Sequence, residues 1–347
     1  MKKLIIGLIG AGVLGLSGMA QADPLANGWQ LDSAASNIRF QSIKNATKVE
    51  SSSFAELQGE IAPDGEARVT VFLDSVDTKI DLRNVRMRFL FFETFNHPEA
   101  TITAQLDPAL LTELEQVRRK TFDMPFELDL HGVKKEMTAE VVATVLTNDL
   151  VSVASAVPVS IGVADFAFEE NIKKLEEAAG VSIVPSATVT FDFLFNRKTG
   201  VEQPVLAAAT NVAPSTRALE TTGNFDLEAC IGRFEILSKT GNIYFGVGST
   251  RLDAASFPLL ENIADIVSRC PGLNIEVAGH TDSDGGAATN QRLSQRRAQS
   301  VAEFLTSQGL PAERFEVAGY GETRPVAPND TRANKQRNRR IEFTVLN

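Results

Sequence analysis

Asp282 and Arg297 are the residues whose types and spacing suit them best for binding chemistry. Asp282 lies in a glycine-rich loop after a predicted buried strand, and Arg297 lies about two turns into the helix that follows. Such a helix packs back across its strand, so the carboxylate and the guanidinium can face one pocket. They would then suit a ligand that carries both an ammonium and a carboxylate. Spacing alone favours a simpler alternative, a salt bridge that joins loop to helix.

His280, in the same loop, is more typical of a hydrogen-bonded packing residue than of a ligand or a base. The sequence places no serine, cysteine or second carboxylate beside it to form a catalytic set. We therefore predict a binding protein and not an enzyme.

The elements around this loop alternate between strand and helix. Strands are predicted near 242–245, 273–278, 314–318 and 340–346, and helices near 254–268 and 289–308. This order predicts a small α/β sandwich as a C-terminal domain over residues 223–347.

The preceding part of the chain is strand-rich. Alternating apolar and polar residues recur over 37–40, 67–73, 100–106, 122–130, 139–146, 157–163 and 187–195. Many short strands predict an antiparallel all-β barrel or sandwich over residues 23–197, with helical insertions near 110–119 and 169–179. Residues 198–222 are rich in alanine, proline, serine and threonine and are predicted to be a linker.

The first 22 residues have the pattern of a secretory signal peptide. Lys2 and Lys3 precede an apolar run, and Ala20-Gln21-Ala22 follows it. We therefore expect an exported protein that begins near Asp23; the alternative is an uncleaved membrane anchor. Without the two signal lysines the chain carries 32 basic and 44 acidic residues, a balance that does not favour nucleic acid as a partner.

Cys230 and Cys270 form an even pair, which in an exported protein suggests a disulfide. Two buried free thiols are the alternative. Neither cysteine has a second cysteine or a histidine at metal-ligand spacing, so no metal site is predicted.

The C-terminal region resembles the OmpA-like peptidoglycan-binding domain from about residue 242 to 343. The matching motifs are Ile243-Tyr244-Phe245, Gly279-His280-Thr281-Asp282 with Gly285 and Asn290, Leu293-Ser294, Arg297-Ala298, Gly319-Tyr320-Gly321-Glu322 with Pro325, and Asn338-Arg339-Arg340-Ile341-Glu342.

The resemblance implies that Asp282 and Arg297 hold the amino and carboxylate groups of diaminopimelate in the peptidoglycan stem. It also places Asn290 and Arg340 at the pocket. Asp284, an extra acid in the loop, and Lys335 depart from the family pattern.

The N-terminal region resembles the YceI-like family from about residue 28 to 195. The matching motifs are Trp29-Gln30-Leu31-Asp32, Ser75-Val76-Asp77-Thr78 with Arg83-Asn84, Phe91-Phe92, His97-Pro98-Glu99-Ala100 and Leu130-His131-Gly132-Val133. The resemblance implies a lipocalin-like barrel whose apolar channel holds a polyisoprenoid, such as a quinone tail or a lipid carrier.

The candidate lipid contacts follow from strand position only, and they are Phe40, Phe72, Phe91, Phe126 and Phe193. Composition alone favours an ordinary core filled by its own side chains. His97 and His131 are interpreted as structural.

Together these expectations describe a periplasmic, cell-wall-associated envelope protein. One possible location is the inner face of the outer membrane. Its barrel either holds an isoprenoid lipid or serves only as a docking surface for envelope proteins. No cofactor is predicted apart from that lipid or quinone.

Overall fold

The computed structural model describes residues 25–198, 218–220, 223–241, 243–246 and 248–346. The predicted signal peptide and most of the predicted linker therefore lie outside the described residues. Within the described part of the chain, no helix is both long and apolar enough to cross a membrane.

The N-terminal region is a closed antiparallel barrel. Its strands are β1 (Trp29–Leu31), β2 (Asn37–Lys44), β3 (Lys48–Phe54), β4 (Leu57–Ile61), β5 (Glu66–Phe72), β6 (Val76–Asp77), β7 (Glu99–Gln105), β8 (Arg119–Leu130), β9 (Val133–Thr147), β10 (Leu150–Ser155), β11 (Val159–Gly162) and β12 (Ile183–Arg197). Eight of them close the ring in the order β1-β4-β5-β7-β8-β9-β10-β12, with β12 returning to β1. The hairpin β2–β3 continues this wall, because β2 pairs with the first half of β12. The predicted barrel is confirmed.

Three helices are inserted between the strands. They are α1 (Asp81–Arg86), which continues as a π-helical segment over Met87–Phe92, α2 (Pro108–Val117) and α3 (Glu169–Ala179). The helices α2 and α3 agree with the predicted insertions. The helix α1 was not predicted, because its six residues are too few to show a clear helical period.

The C-terminal region packs helices against a three-stranded sheet. Its elements are α4 (Leu227–Ser238), α5 (Phe257–Ser268), β13 (Asn274–His280), α6 (Ala287–Ser307), β14 (Phe315–Gly321), α7 (Arg332–Asn338) and β15 (Ile341–Leu346). In the sheet, β13 is central, parallel to β14 and antiparallel to β15. The predicted α/β sandwich is confirmed.

The strand predicted near residues 242–245 is wrong for the residues described there. Phe245 forms a single bridge with Leu252, and glycines flank the segment on both sides. Two of these, Gly241 and Gly248, have positive φ values of 69° and 61°, which a continuous strand does not accommodate.

One hydrophobic cluster spans both regions. Val85, Phe89 and Leu90, on α1 and its π-helical continuation, belong to the same buried cluster as Phe234 and Leu237 of α4. The two regions therefore share a packed core at this contact and are not joined by the chain alone.

Charged residues surround this shared core. Glu220 is buried, accepts hydrogen bonds from Arg88 and from Arg269, the latter at 2.8 Å, and lies 3.5 Å from Arg233. Arg233 is fully buried and donates to both carboxylate oxygens of Asp81, at 2.8 and 2.9 Å. Arg88 and Asp81 belong to the barrel region, so these ion pairs hold it to the C-terminal region.

Cys230 and Cys270 are joined in a disulfide that links α4 to the end of α5, with their Cα atoms 5.9 Å apart. Replacing both with alanine is expected to lower the free energy of unfolding by about 3–4 kcal/mol, because the closed loop restricts the unfolded chain. Denaturant unfolding of the parent with and without a reducing agent measures this. The reducing agent should leave the double variant unchanged; an equal effect on both proteins would contradict the prediction.

Candidate functional site

The end of β13 can lie close to α6 because Gly279 has no side chain. A Cβ atom built there would lie 2.1 Å from the carbonyl oxygen of Ser294, so only glycine allows α6 to cross the strand at this distance. This close crossing brings the middle of α6, including Arg297, beside the end of β13.

Arg297 lines a cavity of about 400 Å³ together with Tyr244, Phe245, His280, Arg339 and Arg340. Its Nε donates to the Ser249 carbonyl at 3.0 Å, and its guanidinium carbon lies 4.9 Å from the Phe245 ring centroid. Burial and the positive charge of Arg339 lower the pKa of Arg297, and the charge of Asp282 opposes that shift. The terminal nitrogens of Arg297 have no hydrogen bond within the described part of the chain, so they can serve a ligand.

Asp282 is buried next to this cavity but is not part of its wall. Its carboxylate pairs with Arg339, not with Arg297. The Asp282–Arg297 salt bridge that the spacing favoured is therefore not formed. Asp282 pairs instead with Arg339, which the sequence did not single out. Arg339 lies inside the matched motif at residues 338–342, but nothing in its residue type distinguishes it from Arg340.

Asn290 shapes the loop and does not line the cavity. Its amide nitrogen donates to the carbonyls of Asp282 and Asp284, at 3.3 and 3.1 Å, and to Oε2 of Glu322 at 2.6 Å. These bonds fix the backbone that carries the Asp282 carboxylate.

Arg340 lies in the cavity wall. Its contact with peptidoglycan stays a prediction, because each of its three guanidinium nitrogens already donates a hydrogen bond within the protein. They bond to Glu342 at 2.7 Å and to the carbonyls of Asn338 and Arg324, at 3.3 and 3.0 Å. Arg340 thus supports the cavity wall, whereas Arg297 and Arg339 are the arginines that would interact with a ligand.

The two departures from the family pattern lie against each other. Lys335 Nζ is 2.6 Å from Oδ1 of Asp284. Because each neutralises the other, the extra acid adds little net negative charge beside the cavity.

Glu342 lies behind the cavity, with its Oε2 atom 3.3 Å from Nε2 of His280. His280 and Arg340 together hold the pKa of Glu342 at about 2, against an ordinary value of 4.5. Its carboxylate is therefore ionised at any physiological pH.

We expect Glu342 to contribute stability that is complete above about pH 4.5 and is lost as the pH falls toward about 2. In the Glu342→Gln variant, the drop in unfolding free energy between about pH 6 and about pH 3 should be smaller than in the parent. Denaturant unfolding at the two pH values measures it, with the exposed Glu313→Gln as control. An unchanged pH dependence in Glu342→Gln would contradict this assignment.

The barrel encloses a second cavity, of about 460 Å³, whose wall is mostly aliphatic and aromatic. Phe40, Phe91, Phe126 and Phe193, four of the residues named from strand position, line it, and their contact with a lipid stays a prediction. The prediction for Phe72 is wrong. Side chains alternate along β5, and Ala67, Val69 and Val71 face the cavity, so Phe72 points to the other side of the strand.

His97 and His131 have ring centroids 4.3 Å apart with their planes tilted by 52°, and His131 stacks on Phe168 at 4.5 Å. Burial and the neighbouring His131 lower the pKa of His97. Among the described residues, no group of three or more histidine, cysteine or acidic side chains is arranged to hold a metal ion.

Sequence comparison finds two family models in the chain. The YceI-like domain model matches residues 29–195, and the OmpA family model matches residues 244–339. These ranges contain most of the residues that line the apolar cavity and the Arg297 cavity, respectively.

The curated relatives match only part of this chain. Outer membrane porin F of Pseudomonas fluorescens is 49% identical over 90 residues, 26% of this chain and 28% of the porin. Probable lipoprotein YiaD of Escherichia coli is 40% identical over 110 residues, 32% of this chain and 50% of the lipoprotein. Peptidoglycan-binding protein ArfA of Mycobacterium tuberculosis is 33% identical over 105 residues, 30% of this chain and 32% of that protein. This chain therefore spans half or less of each of these relatives.

Solved structures match each half separately. A polyisoprenoid binding domain from Saccharophagus degradans is 31% identical, covers 50% of this chain and 99% of that domain, and has a TM-score of 0.46. The peptidoglycan-associated lipoprotein of Burkholderia pseudomallei is 28% identical, covers 30% of this chain and 88% of the lipoprotein, and has a TM-score of 0.29. By the two family matches, the chain joins a YceI-like domain at residues 29–195 to an OmpA family domain at residues 244–339.

Proposed function

We propose that this protein binds peptidoglycan non-covalently in the bacterial cell envelope, with the Arg297 cavity as the binding site. The observation that carries this proposal is the Arg297 guanidinium, which lines a cavity inside the OmpA family match. The name of the relative ArfA, a peptidoglycan-binding protein, supports the same ligand.

The ligand group with the best chemical fit is diaminopimelate, whose side chain ends in an ammonium and a carboxylate. The carboxylate would accept two parallel hydrogen bonds from Arg297, a geometry that a guanidinium offers and an ammonium does not. The ammonium would bind Asp282, which requires Arg339 to share that carboxylate or to turn toward the ligand. Repeated stems in the wall would add avidity to a modest single-site affinity.

The compartment follows from the same proposal. Peptidoglycan is reached from the periplasm, which agrees with the predicted signal peptide and with a disulfide between Cys230 and Cys270. Outer membrane and lipoprotein relatives support an envelope location.

The barrel would hold an isoprenoid or similar apolar lipid. Its cavity is lined mainly by aliphatic and aromatic side chains, and the YceI-like match covers the whole barrel. A barrel that serves only to dock envelope proteins is the alternative. Mass spectrometry of lipid extracted from the purified protein separates the two: a stoichiometric isoprenoid supports the first, and lipid-free protein that also fails to bind added isoprenoid supports the second.

Co-sedimentation with isolated sacculi tests the wall proposal. The protein should pellet with diaminopimelate-containing sacculi and be released by a soluble stem peptide that contains diaminopimelate. Sacculi with lysine in that position lack the terminal carboxylate and should retain far less protein. Equal retention by both kinds of sacculi would exclude the diaminopimelate assignment.

A further inference from the structure

The inner face of the hairpin β2–β3 changes from apolar to polar toward its turn. Along β2, Ile38 and Phe40 line the barrel cavity, and Ser42 and Lys44 follow them on the same face. Along β3 the order is mirrored, with Phe54, Ser52 and Glu50 facing the cavity. Because alternate residues of a strand share one face, this change gives an otherwise apolar cavity one polar end.

The helix α1 adds two arginines to this polar end. Arg83 and Arg86 both line the cavity. Glu50 is paired with Lys44 at 2.6 Å and with Arg83 at 2.9 Å, and these cations hold its pKa at about 2. Three cationic side chains and one carboxylate that stays ionised therefore line this cavity, which leaves an excess of positive charge there in a chain whose net charge is −10.

Among the cations of this polar end, Arg86 is the one without an acceptor in the described residues. Its Nε atom is buried and has no hydrogen-bond partner, and no ion pair joins Arg86 to another residue in the described part of the chain. A buried guanidinium donor without an acceptor is costly, and here it borders a space large enough for a ligand.

We propose that this polar end binds the phosphate of an anionic isoprenoid head group, with Arg86 as its main ligand and Lys44 and Arg83 beside it. The inference rests on the proposed lipid function of the barrel and deepens it. The apolar chain would lie along Phe40 and Phe54 toward the middle of the cavity, and the phosphate would meet the guanidinium at the hairpin end. A phosphate offers several acceptor oxygens and up to two negative charges, which suits Arg86 better than the neutral carbonyls of a quinone.

The test compares three probes with the same prenyl chain: a prenol, a prenyl phosphate and a prenyl quinone. Affinities for the full-length, lipid-free protein are measured by native mass spectrometry and by displacement of a fluorescent apolar probe. The parent should bind the phosphate at least about tenfold more tightly than the prenol or the quinone.

The Arg86→Gln variant should lose this preference and keep its affinity for the prenol. Arg86→Lys should keep part of the preference, because it keeps the charge. The control is Arg39→Gln on the outer, exposed face of β2, which should behave as the parent does. Near-ultraviolet circular dichroism and prenol binding report whether each variant is folded.

The outcomes separate the inference from the function on which it rests. Equal affinity of the parent for phosphate and prenol, or a preference that survives in Arg86→Gln, would overturn the head-group site and leave the lipid function standing. If none of the three prenyl probes binds the folded parent, the lipid function itself is wrong, and the head-group site with it.

Discussion

Replacing Arg297 with alanine is expected to weaken binding to diaminopimelate-containing sacculi by about 30-fold or more. Arg297 is half-buried in the cavity wall, and truncating one partner of a buried, hydrogen-bonded charge pair costs about 2–5 kcal/mol of binding free energy. The lower limit corresponds to a factor of about 30 in the dissociation constant. Co-sedimentation over a range of sacculus concentrations measures the change.

The matched control is Arg296→Ala. Arg296 precedes Arg297 on α6 and is exposed, and its side chain donates a hydrogen bond to the carbonyl of Arg292 within its own helix. The Arg296→Ala substitution removes the same charge from the same helix, so binding that depends only on net charge would fall equally in both variants. Such an equal loss would contradict the assignment of the site.

Two further variants separate recognition from folding. Arg297→Lys keeps the charge but loses the two-pronged donor geometry, so binding should stay well below that of the parent. Asp282→Asn keeps the size of the side chain but removes the negative charge that would hold the ligand's ammonium. Both should unfold cooperatively if the loss of binding is a loss of recognition. Full binding by Asp282→Asn would mean that Asp282 does not bind the ligand's ammonium. The proposed contact of Arg297 with the ligand's carboxylate would still stand.

The fold could be predicted from the sequence where one local rule decided it. Alternation along the long strands β8, β9 and β12 predicted the barrel, and glycines after α3 and α6 marked the ends of those helices. The helix α4 was missed although Cys230, Phe234 and Leu237 have the spacing of one helix face. Ile236, which is buried on another face, weakens that stripe.

The site residues were predicted from family motifs in the C-terminal region and from strand position in the barrel. Motifs identified Asp282 and Arg297, but side-chain direction decided which arginine pairs with Asp282, and neighbouring Arg339 and Arg340 point to different partners. A one-residue error in strand alternation placed Phe72 in the lipid cavity. The charged end of that cavity was missed because Glu50 and Arg86 come together only through the fold, not through spacing along the chain.

The contact between the two domains uses the same helical insertions that line the barrel cavity. Ile172 and Leu175 of α3 line the cavity, and Lys174 on the same helix donates to the carbonyl of Thr240 in the C-terminal region at 2.9 Å. Helix α1 likewise has Arg86 at the cavity and Val85 in the shared core. A lipid that stabilises the folded barrel should therefore also raise the stability of the domain contact.

Replacing Glu220 with glutamine is expected to lower the free energy of unfolding by about 3–5 kcal/mol. The carboxylate is buried among Arg88, Arg233 and Arg269, and removing one partner of a buried ion pair leaves uncompensated charge. Of the described carboxylates, Asp81 would then be the one left paired with Arg233. Because Arg88 comes from the barrel and the other two arginines from the C-terminal region, the loss should fall on the contact between them. Calorimetry should show the single transition of the parent separating into two.

The control for this prediction is Glu235→Gln on α4, which is exposed and should change the free energy of unfolding by less than about 0.5 kcal/mol. A double-mutant cycle with Arg88→Met tests the contact itself. Once Glu220 is glutamine, Arg88→Met should lower the free energy of unfolding less than it does in the parent. In that background Arg88 has lost its carboxylate partner, and removing it also removes its repulsion of the other arginines. Additive losses in the cycle, or one unchanged transition in Glu220→Gln, would mean that the apolar contact of α1 with α4 holds the two domains together without help from these charges.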